Sequence, residues 1–441
     1  MNDVFGRLLI KSKLIFLFVT GVMFGFVNHG FSQNLHYARC LVDTLASPAM
    51  YGRGYINEGN SLASGYIASE MERIGLRPFN STFFQSFEMP VNTFPDTVEF
   101  SINGNNIVPG RDFTVASYSP DIKGVYKLKT IKSKVFSKPS RLNRLSGKDF
   151  SKTFFLIDKA DIPKERQRLV DSLVRTNYVH AAGFVISQAK EKLMWSVSQA
   201  FRQKSFPVFE VLKSAIPRNP RVVECNVNAE FFAGMPVRNV VGFIPGTELP
   251  DSFIVISAHY DHLGMMGRNA LFPGANDNAS GIAMMLDMAR HFALAENRPR
   301  CSMAFLAFAG EEAGLLGSQF YVDHPLFPLK QVSFLLNLDM VGTGSEGVTV
   351  VNGNVFKKQF ELLSDINHQH NYVLKVAERG ESCNSDHCPF YKAGVPAVFI
   401  YSMGKEFREY HNIFDRSEQL PLTKYEDIFR LLRDFVFAYH M

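Results

Sequence analysis

Five segments in the second half of the chain carry residue types that bind metal ions or move protons. These residues are His259, Asp277, the pair Glu311 and Glu312, Asp339, and His411. Imidazole nitrogens and carboxylate oxygens are ordinary zinc ligands, and a catalytic zinc keeps one position open for water. Two zinc ions about 3.5–4 Å apart also need a carboxylate that both can share. The residue types therefore predict metal-assisted hydrolysis.

The adjacent pair Glu311 and Glu312 suits a division of labour in such a site. One carboxylate can bind a metal, while the other stays unbound, takes a proton from water and passes it to the leaving group. Because the two residues are adjacent, one carboxylate can face the metal while the other faces the water. The pair therefore predicts one ligand and one general base.

The elements around these residues predict an α/β fold with a mostly parallel central sheet flanked by helices. From residue 237 onward, near-continuous apolar runs such as SFIVISAHYD, CSMAFLAFAG and VSFLLNLD alternate with helical segments. Apolar strands of this kind are typical of sheets covered on both faces. Ligands of such sheets bind beyond the carboxyl ends of the strands. The candidate residues of these three runs lie at those ends.

The domain organisation predicted from the sequence has three parts. Residues 1–33 resemble a signal peptide, residues 34–96 and 236–441 form the catalytic domain, and residues 97–235 form an inserted β-rich domain. The insert is predicted from short β-like runs such as TVEFSI, TFFLID and FPVFEV.

The N-terminus indicates export to the periplasm or the extracellular medium. Three basic residues precede the uncharged run Leu14 to Val27, which has the length of a signal-peptide core and is short of a membrane span. We therefore expect no stable membrane span after cleavage. The net charge of +5 loses three positive charges and one negative charge with residues 1–33, which leaves +3. This balance, without a basic block, argues against a nucleic-acid partner.

The five cysteines are too few for a disulfide scaffold. Cys383 and Cys388 lie close enough in one loop to bridge in an oxidising compartment. Cys301 opens an apolar run and is expected to be a buried thiol.

The motifs together resemble those of the co-catalytic zinc aminopeptidases, a family related to glutaminyl cyclases and glutamate carboxypeptidases. They are HYDHLG, GANDNASG, AGEEAGLLGS, NLDMVG, SDHCPFYKAGVPAVFI and YHNIFD. The resemblance covers residues 237–441 and extends to the segment MYGRGYINEGN. The insert resembles a protease-associated domain. Peptides are the substrates that this resemblance implies.

The resemblance also implies a role for each candidate residue at a centre of two Zn²⁺ ions. Asp277 would bridge the ions, His259 and Asp339 would complete one site, and Glu312 and His411 the other. Glu311 would be the general base. Asp261 would orient His259, and the peptide bond Asp277–Asn278 would be cis. Asp386, His387 and Tyr410 would line or support the site, although a structural role explains them equally well.

Three alternatives remain open at this point. A glutaminyl cyclase shares the scaffold, but its usual tryptophan before the last histidine is replaced here by Tyr410. A carboxypeptidase would need an arginine for the substrate carboxylate, for which Arg268, Arg379 and Arg408 are candidates. A receptor-like binding protein would have lost ligands or the base, whereas none is missing here.

Overall fold

The computed structural model describes residues 35–137, 139–145 and 148–439. The predicted signal peptide lies outside the described residues. Within them, no helix has both the length and the apolar character that crossing a membrane requires.

Eighteen strands are described. In chain order they are β1 Phe84–Thr93, β2 Val98–Ile102, β3 Asn105–Ile107, β4 Phe113–Val115, β5 Ile122–Thr130, β6 Phe150–Asp158, β7 Ala181–Gln188, β8 Val208–Leu212, β9 Val222–Val227, β10 Glu230–Ile244, β11 Leu249–His259, β12 Gly264–Met266, β13 Ala270–Phe272, β14 Cys301–Phe308, β15 Val332–Leu338, β16 Gly347–Val351, β17 Val376–Glu378 and β18 Ala397–Met403.

Nine α-helices are described. They are α1 Leu35–Leu45, α2 Gly59–Ile74, α3 Pro139–Asn143, α4 Lys164–Thr176, α5 Ser280–Ala293, α6 Leu316–Asp323, α7 Lys357–His370, α8 His387–Lys392 and α9 Tyr425–Ala438.

One eight-stranded sheet has the strand order β1-β10-β14-β11-β15-β18-β16-β17. Its central strands β14, β11, β15 and β18 run parallel to one another, while β1, β10 and β16 pair antiparallel. Strand β14 is buried along its whole length, and Cys301 at its start is a buried free thiol. The predicted α/β fold with a mostly parallel centre is confirmed.

Residues 98–227 form a second eight-stranded sheet with the order β3-β2-β9-β5-β6-β7-β8-β4. Strands β5, β6, β7 and β8 are parallel, and α4 connects β6 to β7. The chain enters and leaves this sheet through β1 and β10, which pair antiparallel with Met89 opposite Met235. The predicted insert boundaries at residues 97 and 235 enclose this sheet and stay a prediction.

Candidate metal centre

Three adjacent parallel strands deliver candidate residues to one edge of the main sheet. Strand β11 pairs with β14 on one side and with β15 on the other. His259 is the last residue of β11, and Asp339 directly follows β15. The Glu311–Glu312 pair follows β14 after Gly310, whose φ of +70° turns the chain sharply at the strand end. The order of the strands therefore brings these four residues to one place.

Two loops bring the remaining candidates to the same edge. Asp277 lies in the turn Ala275–Ala279 that leads into α5, and its peptide bond to Asn278 is cis, as expected. His411 lies in a late loop with a φ of +51°.

The carboxylate of Asp277 lies between two histidines. Its Oδ1 is 3.4 Å from Nε2 of His259, and its Oδ2 is 3.1 Å from Nε2 of His411. The Oδ1 of Asp339 lies 3.5 Å from the same nitrogen of His259, and the Oε2 of Glu312 lies 3.1 Å from that of His411. The candidates thus form two groups of potential metal ligands. One group consists of His259, Asp339 and Asp277, the other of His411, Glu312 and Asp277, so that the carboxylate of Asp277 belongs to both.

The side chains of this cluster are removed from water, which makes their charges strongly dependent on one another. Burial alone disfavours every charged form, yet the facing carboxylates raise the pKa values of His259 and His411. The same contacts hold the pKa values of Asp277 and Glu312 below their ordinary ranges. Positive charge in this cavity is therefore strongly favoured.

The donor set fits zinc. One group of buried ligand atoms consists of His259, Asp277 and Asp339, and each atom lies within 4.8 Å of the others. Mixed imidazole and carboxylate donors suit zinc, and three protein ligands leave a coordination position for substrate or water. The excess of buried carboxylates also needs a compensating cation.

Asp261 positions the Glu311–Glu312 turn. Its carboxylate accepts the backbone N–H groups of Glu311 and Glu312 at 3.1 and 3.3 Å, and it also accepts the hydroxyl of Tyr55 at 3.1 Å. Its own backbone carbonyl lies 3.1 Å from Nδ1 of His259, whereas its carboxylate is 3.8 Å from that nitrogen. The backbone carbonyl of Asp261 therefore orients His259, a role that was expected of the Asp261 carboxylate. The carboxylate instead holds the turn at Glu311 and Glu312.

His262 joins Asp277 and Glu312 in a group of buried ligand-type residues, a place that was not predicted from the sequence. Its side chain is fully buried, and its Nδ1 lies 2.8 Å from Oε1 of Glu312 and 4.0 Å from Oδ2 of Asp277. Neither ring nitrogen makes a hydrogen bond of good geometry. A buried imidazole nitrogen without a hydrogen bond is unfavourable unless a polar group or a metal ion lies beside it. The only indication of this role in the sequence is that His262 is the second histidine of the motif HYDHLG.

Arg53 fixes the main chain beneath the centre. Its guanidinium is fully buried and donates to five backbone carbonyls, those of Leu45, Tyr260, Pro273, Gly274 and Asp277, at 2.7–3.2 Å. Burial lowers its pKa to about 10, and nearby carboxylates including Asp277 oppose that shift. The arginine therefore remains charged at neutral pH.

Replacing Arg53 is expected to destabilise the fold. Arg53→Met keeps much of the aliphatic volume but leaves several buried carbonyls without donors, which should cost about 3–5 kcal/mol of unfolding free energy. Thermal unfolding of the zinc-loaded protein measures the loss, and Arg39→Met is a matched control with one carbonyl contact near the surface. A loss of stability no larger than that of the control would contradict the assignment.

A loop closed by a disulfide supports the ligand group that contains Asp339. Cys383 and Cys388 are bonded, which confirms the predicted bridge. Ser385 in this loop donates to Oδ2 of Asp339 at 2.9 Å. Asp386 and His387 follow it and are fully buried, with Nε2 of His387 lying 2.8 Å from the carbonyl of Ser382. Neither residue lines the open cavity. His387 supports the loop through Ser382, whereas Asp386 acts on the charges of His259 and Glu311 from the interior.

A cavity of about 210 Å³ opens over the cluster. Its lining includes Glu311 and the expected Tyr410, whose ring stacks on His411 with centroids 3.8 Å apart. It also includes Phe399, Tyr401 and Arg379, the last of which is one of the three arginines named above as candidates for a substrate carboxylate. The cavity thus combines the candidate base, aromatic walls and one cation.

Comparison with known proteins agrees with this geometry. Residues 239–436 match the model of peptidase family M28. Aminopeptidase YwaD of Bacillus subtilis is 31% identical over 238 residues, which are 50% of this chain and 48% of that protein. A probable leucine aminopeptidase of Arthroderma otae is 30% identical over 207 residues, which are 45% of this chain and 57% of that protein. The matched regions thus span about half the length of these relatives.

Solved structures share the fold over nearly the whole chain. The zinc aminopeptidase BSAP from Bacillus subtilis has a TM-score of 0.66 at 20% identity and covers 92% of this chain and 94% of its own. The aminopeptidase from Aneurinibacillus sp. strain AM-1 has a TM-score of 0.63 at 19% identity and covers 92% and 93%. At these identities the likeness shows the fold.

Proposed function

We propose that this chain, whose residues 239–436 match the model of peptidase family M28, is an exported aminopeptidase with two zinc ions at the centre described above. The observation that carries the proposal is the position of Asp277, whose two carboxylate oxygens face two different histidines. One carboxylate shared by two ligand groups is what a pair of zinc ions requires.

The residues of the centre have distinct tasks in this proposal. His259 and Asp339 would hold one ion, Glu312 and His411 the other, and Asp277 both. Bound zinc would supply Lewis-acid activation of water and of the peptide carbonyl.

Glu311 would act as the general base. It lines the cavity, belongs to neither ligand group, and is held at its backbone N–H by Asp261. Burial raises its pKa well above the ordinary range, and the nearby carboxylates of Asp386 and Glu312 add to that rise. A carboxylate of raised pKa is the stronger base, so Glu311 is suited to accept a proton from water and return it to the leaving amine.

His262 would support the zinc ion bound by Glu312, because its Nδ1 contacts that carboxylate directly. Removal of such outer partners typically weakens metal binding about 10–100-fold. His262→Asn should therefore lower zinc affinity by that factor, as measured by chelator competition on the purified protein. The exposed His324→Asn is the control, and equal affinities in both variants would contradict this role.

The activity is tested with a set of peptides, each supplied with a free and an acetylated N-terminus. Mass spectrometry should show stepwise loss of N-terminal residues from the free peptides alone, and a chelator should stop it. Ring closure of an N-terminal glutamine would identify a cyclase instead. Unchanged peptides from a zinc-loaded sample would favour a binding role.

A carboxypeptidase is the second candidate, because Arg379 lines the cavity beside the cluster. A guanidinium there is suited to the carboxylate of a peptide C-terminus. Shortening of the same peptides from that end, with loss of activity in Arg379→Met, would favour this candidate over the aminopeptidase.

Export is part of the proposal. The disulfide between Cys383 and Cys388 supports an oxidising compartment, as do the signal-like residues 1–33. Fractionation of producing cells should recover the mature chain from the periplasm or the medium. Recovery of a full-length chain in the cytoplasm would contradict export.

A further inference from the structure

A second cavity lies in the inserted sheet, away from the metal-centre residues. Its volume is about 380 Å³, and its lining includes Lys159 and Gln188 at the carboxyl ends of the parallel strands β6 and β7, along with Val208 and Glu210 of β8. Helix α4 and the segment 194–204 enclose it on other sides. Small molecules typically bind in cavities of about 300–1,000 Å³. In parallel sheets they bind outside the carboxyl ends of the strands.

Glu210 and Lys204 are two of the charged residues that line this cavity, together with Arg175, Arg202 and the ion pair of Lys159 with Asp171. No lysine, arginine or histidine nitrogen among the described residues lies within 4.0 Å of the Glu210 carboxylate, which accepts a hydrogen bond from the amide of Gln188 at 2.9 Å. The charges of Lys190 and Lys159 act on this carboxylate from further away. Likewise, no described carboxylate lies within that distance of Lys204, whose ammonium donates to the carbonyl of Arg175 at 3.2 Å.

The surroundings disfavour the charged forms of both Glu210 and Lys204. Burial raises the pKa of Glu210, although the amide of Gln188 and the charges of Lys190 and Lys159 oppose that rise. Burial lowers the pKa of Lys204, and the positive charges of Arg202 and Arg175 lower it further. The ammonium of Lys204 lies 4.1 Å from the ring centroid of Tyr118. Each group would gain from a partner of opposite charge.

One part of the wall is apolar. Val170 and Val174 come from α4, and Ile186 and Val208 come from β7 and β8. A ligand that fits this part of the wall carries an apolar side chain along with its two charges.

We propose that this cavity is a binding site for a small zwitterion of the amino-acid class, with an apolar side chain. Glu210 binds the ammonium of the ligand, Lys204 binds its carboxylate, and the valine and isoleucine side chains surround the remainder. The inference rests on the cavity alone and stands whether or not the metal centre cleaves peptides.

The same cavity is connected to the candidate metal centre through Trp195. This residue lines the cavity, and its backbone N–H donates to the carbonyl of His411 at 2.8 Å. Lys192, three residues earlier, forms an ion pair with Glu409. A ligand in the cavity therefore touches the segment that holds the loop of His411.

Trp195 also provides the measurement, because it is the only tryptophan of the chain. Leucine added to the zinc-loaded full-length protein should change the tryptophan fluorescence in a saturable way. 4-Methylpentanoate lacks the ammonium and 3-methylbutylamine lacks the carboxylate, so each should bind at least tenfold more weakly.

Variants separate this cavity from product binding at the metal centre. Glu210→Gln and Lys204→Met should each raise the dissociation constant of leucine at least tenfold. Val174→Phe, which fills the cavity, should abolish the signal. The exposed Glu165→Gln and Lys127→Met are matched controls and should bind leucine like the unmodified protein.

Circular dichroism and metal content confirm that each variant is folded. Leucine titrations that Glu210→Gln, Lys204→Met and Val174→Phe all leave unchanged would place the signal at the metal centre and overturn the proposal. Equal binding of leucine and its two singly charged analogues would overturn it as well.

Discussion

Glu311→Gln is expected to reduce peptide hydrolysis by a factor of roughly 10²–10⁴ in kcat while zinc binding is retained. The amide has the shape of the carboxylate but cannot accept a proton from water. Glu311 lies outside both ligand groups, so its loss should leave the ions in place. Steady-state kinetics on a peptide with a free N-terminus, together with the zinc content of the same sample, measures the two effects separately.

The exposed Glu361→Gln on α7 is the matched control and should behave like the unmodified protein. Rates of Glu311→Gln that equal those of this control would eliminate Glu311 as the base. A fall in zinc content that parallels the fall in rate would make it a ligand instead.

Asp277→Asn should lower the metal content more than Glu311→Gln does. Since the two oxygens of Asp277 face His259 and His411, loss of its charge weakens both ligand groups at once. Zinc should fall from two ions to less than one per chain, and activity should disappear. The rise in melting temperature on zinc addition, which follows from selective binding to the folded state, should also disappear.

Two measurements check this result, elemental analysis after dialysis and thermal unfolding with and without zinc. Asp365→Asn, an exposed aspartate on α7, serves as the control. A variant at position 277 that still holds two ions would show that the two groups do not depend on a shared carboxylate.

The main sheet and the cluster could be predicted from the sequence for a simple physical reason. Buried parallel strands are continuous apolar runs, so a charged residue at the end of a run stands out. His259 and Asp339 were found in this way. Asp277 and His411 lie in loops, and only their motifs indicated them.

The supporting residues could not be predicted, because their roles depend on contacts across long sequence separations. Arg53 belongs to a short polar segment, GRGY, that reads as an ordinary loop, and nothing in it indicates five distant carbonyls. Arg379 follows the short strand β17, and its place beside the cluster depends on strand order. The cavity of the insert likewise needs the pairing of β6, β7 and β8, which periodicity alone does not give.

The hydrogen bonds of Arg53 have a consequence for folding kinetics. Four of its five acceptors lie between 207 and 224 residues further along the chain. Contacts at such separations form late, because a long loop must close first. Pairing of β1 with β10 brings together the two ends of the segment that forms the second sheet. A newly made chain should therefore acquire its zinc-binding geometry only after β1 and β10 have paired, and refolding experiments should find metal uptake among the last steps.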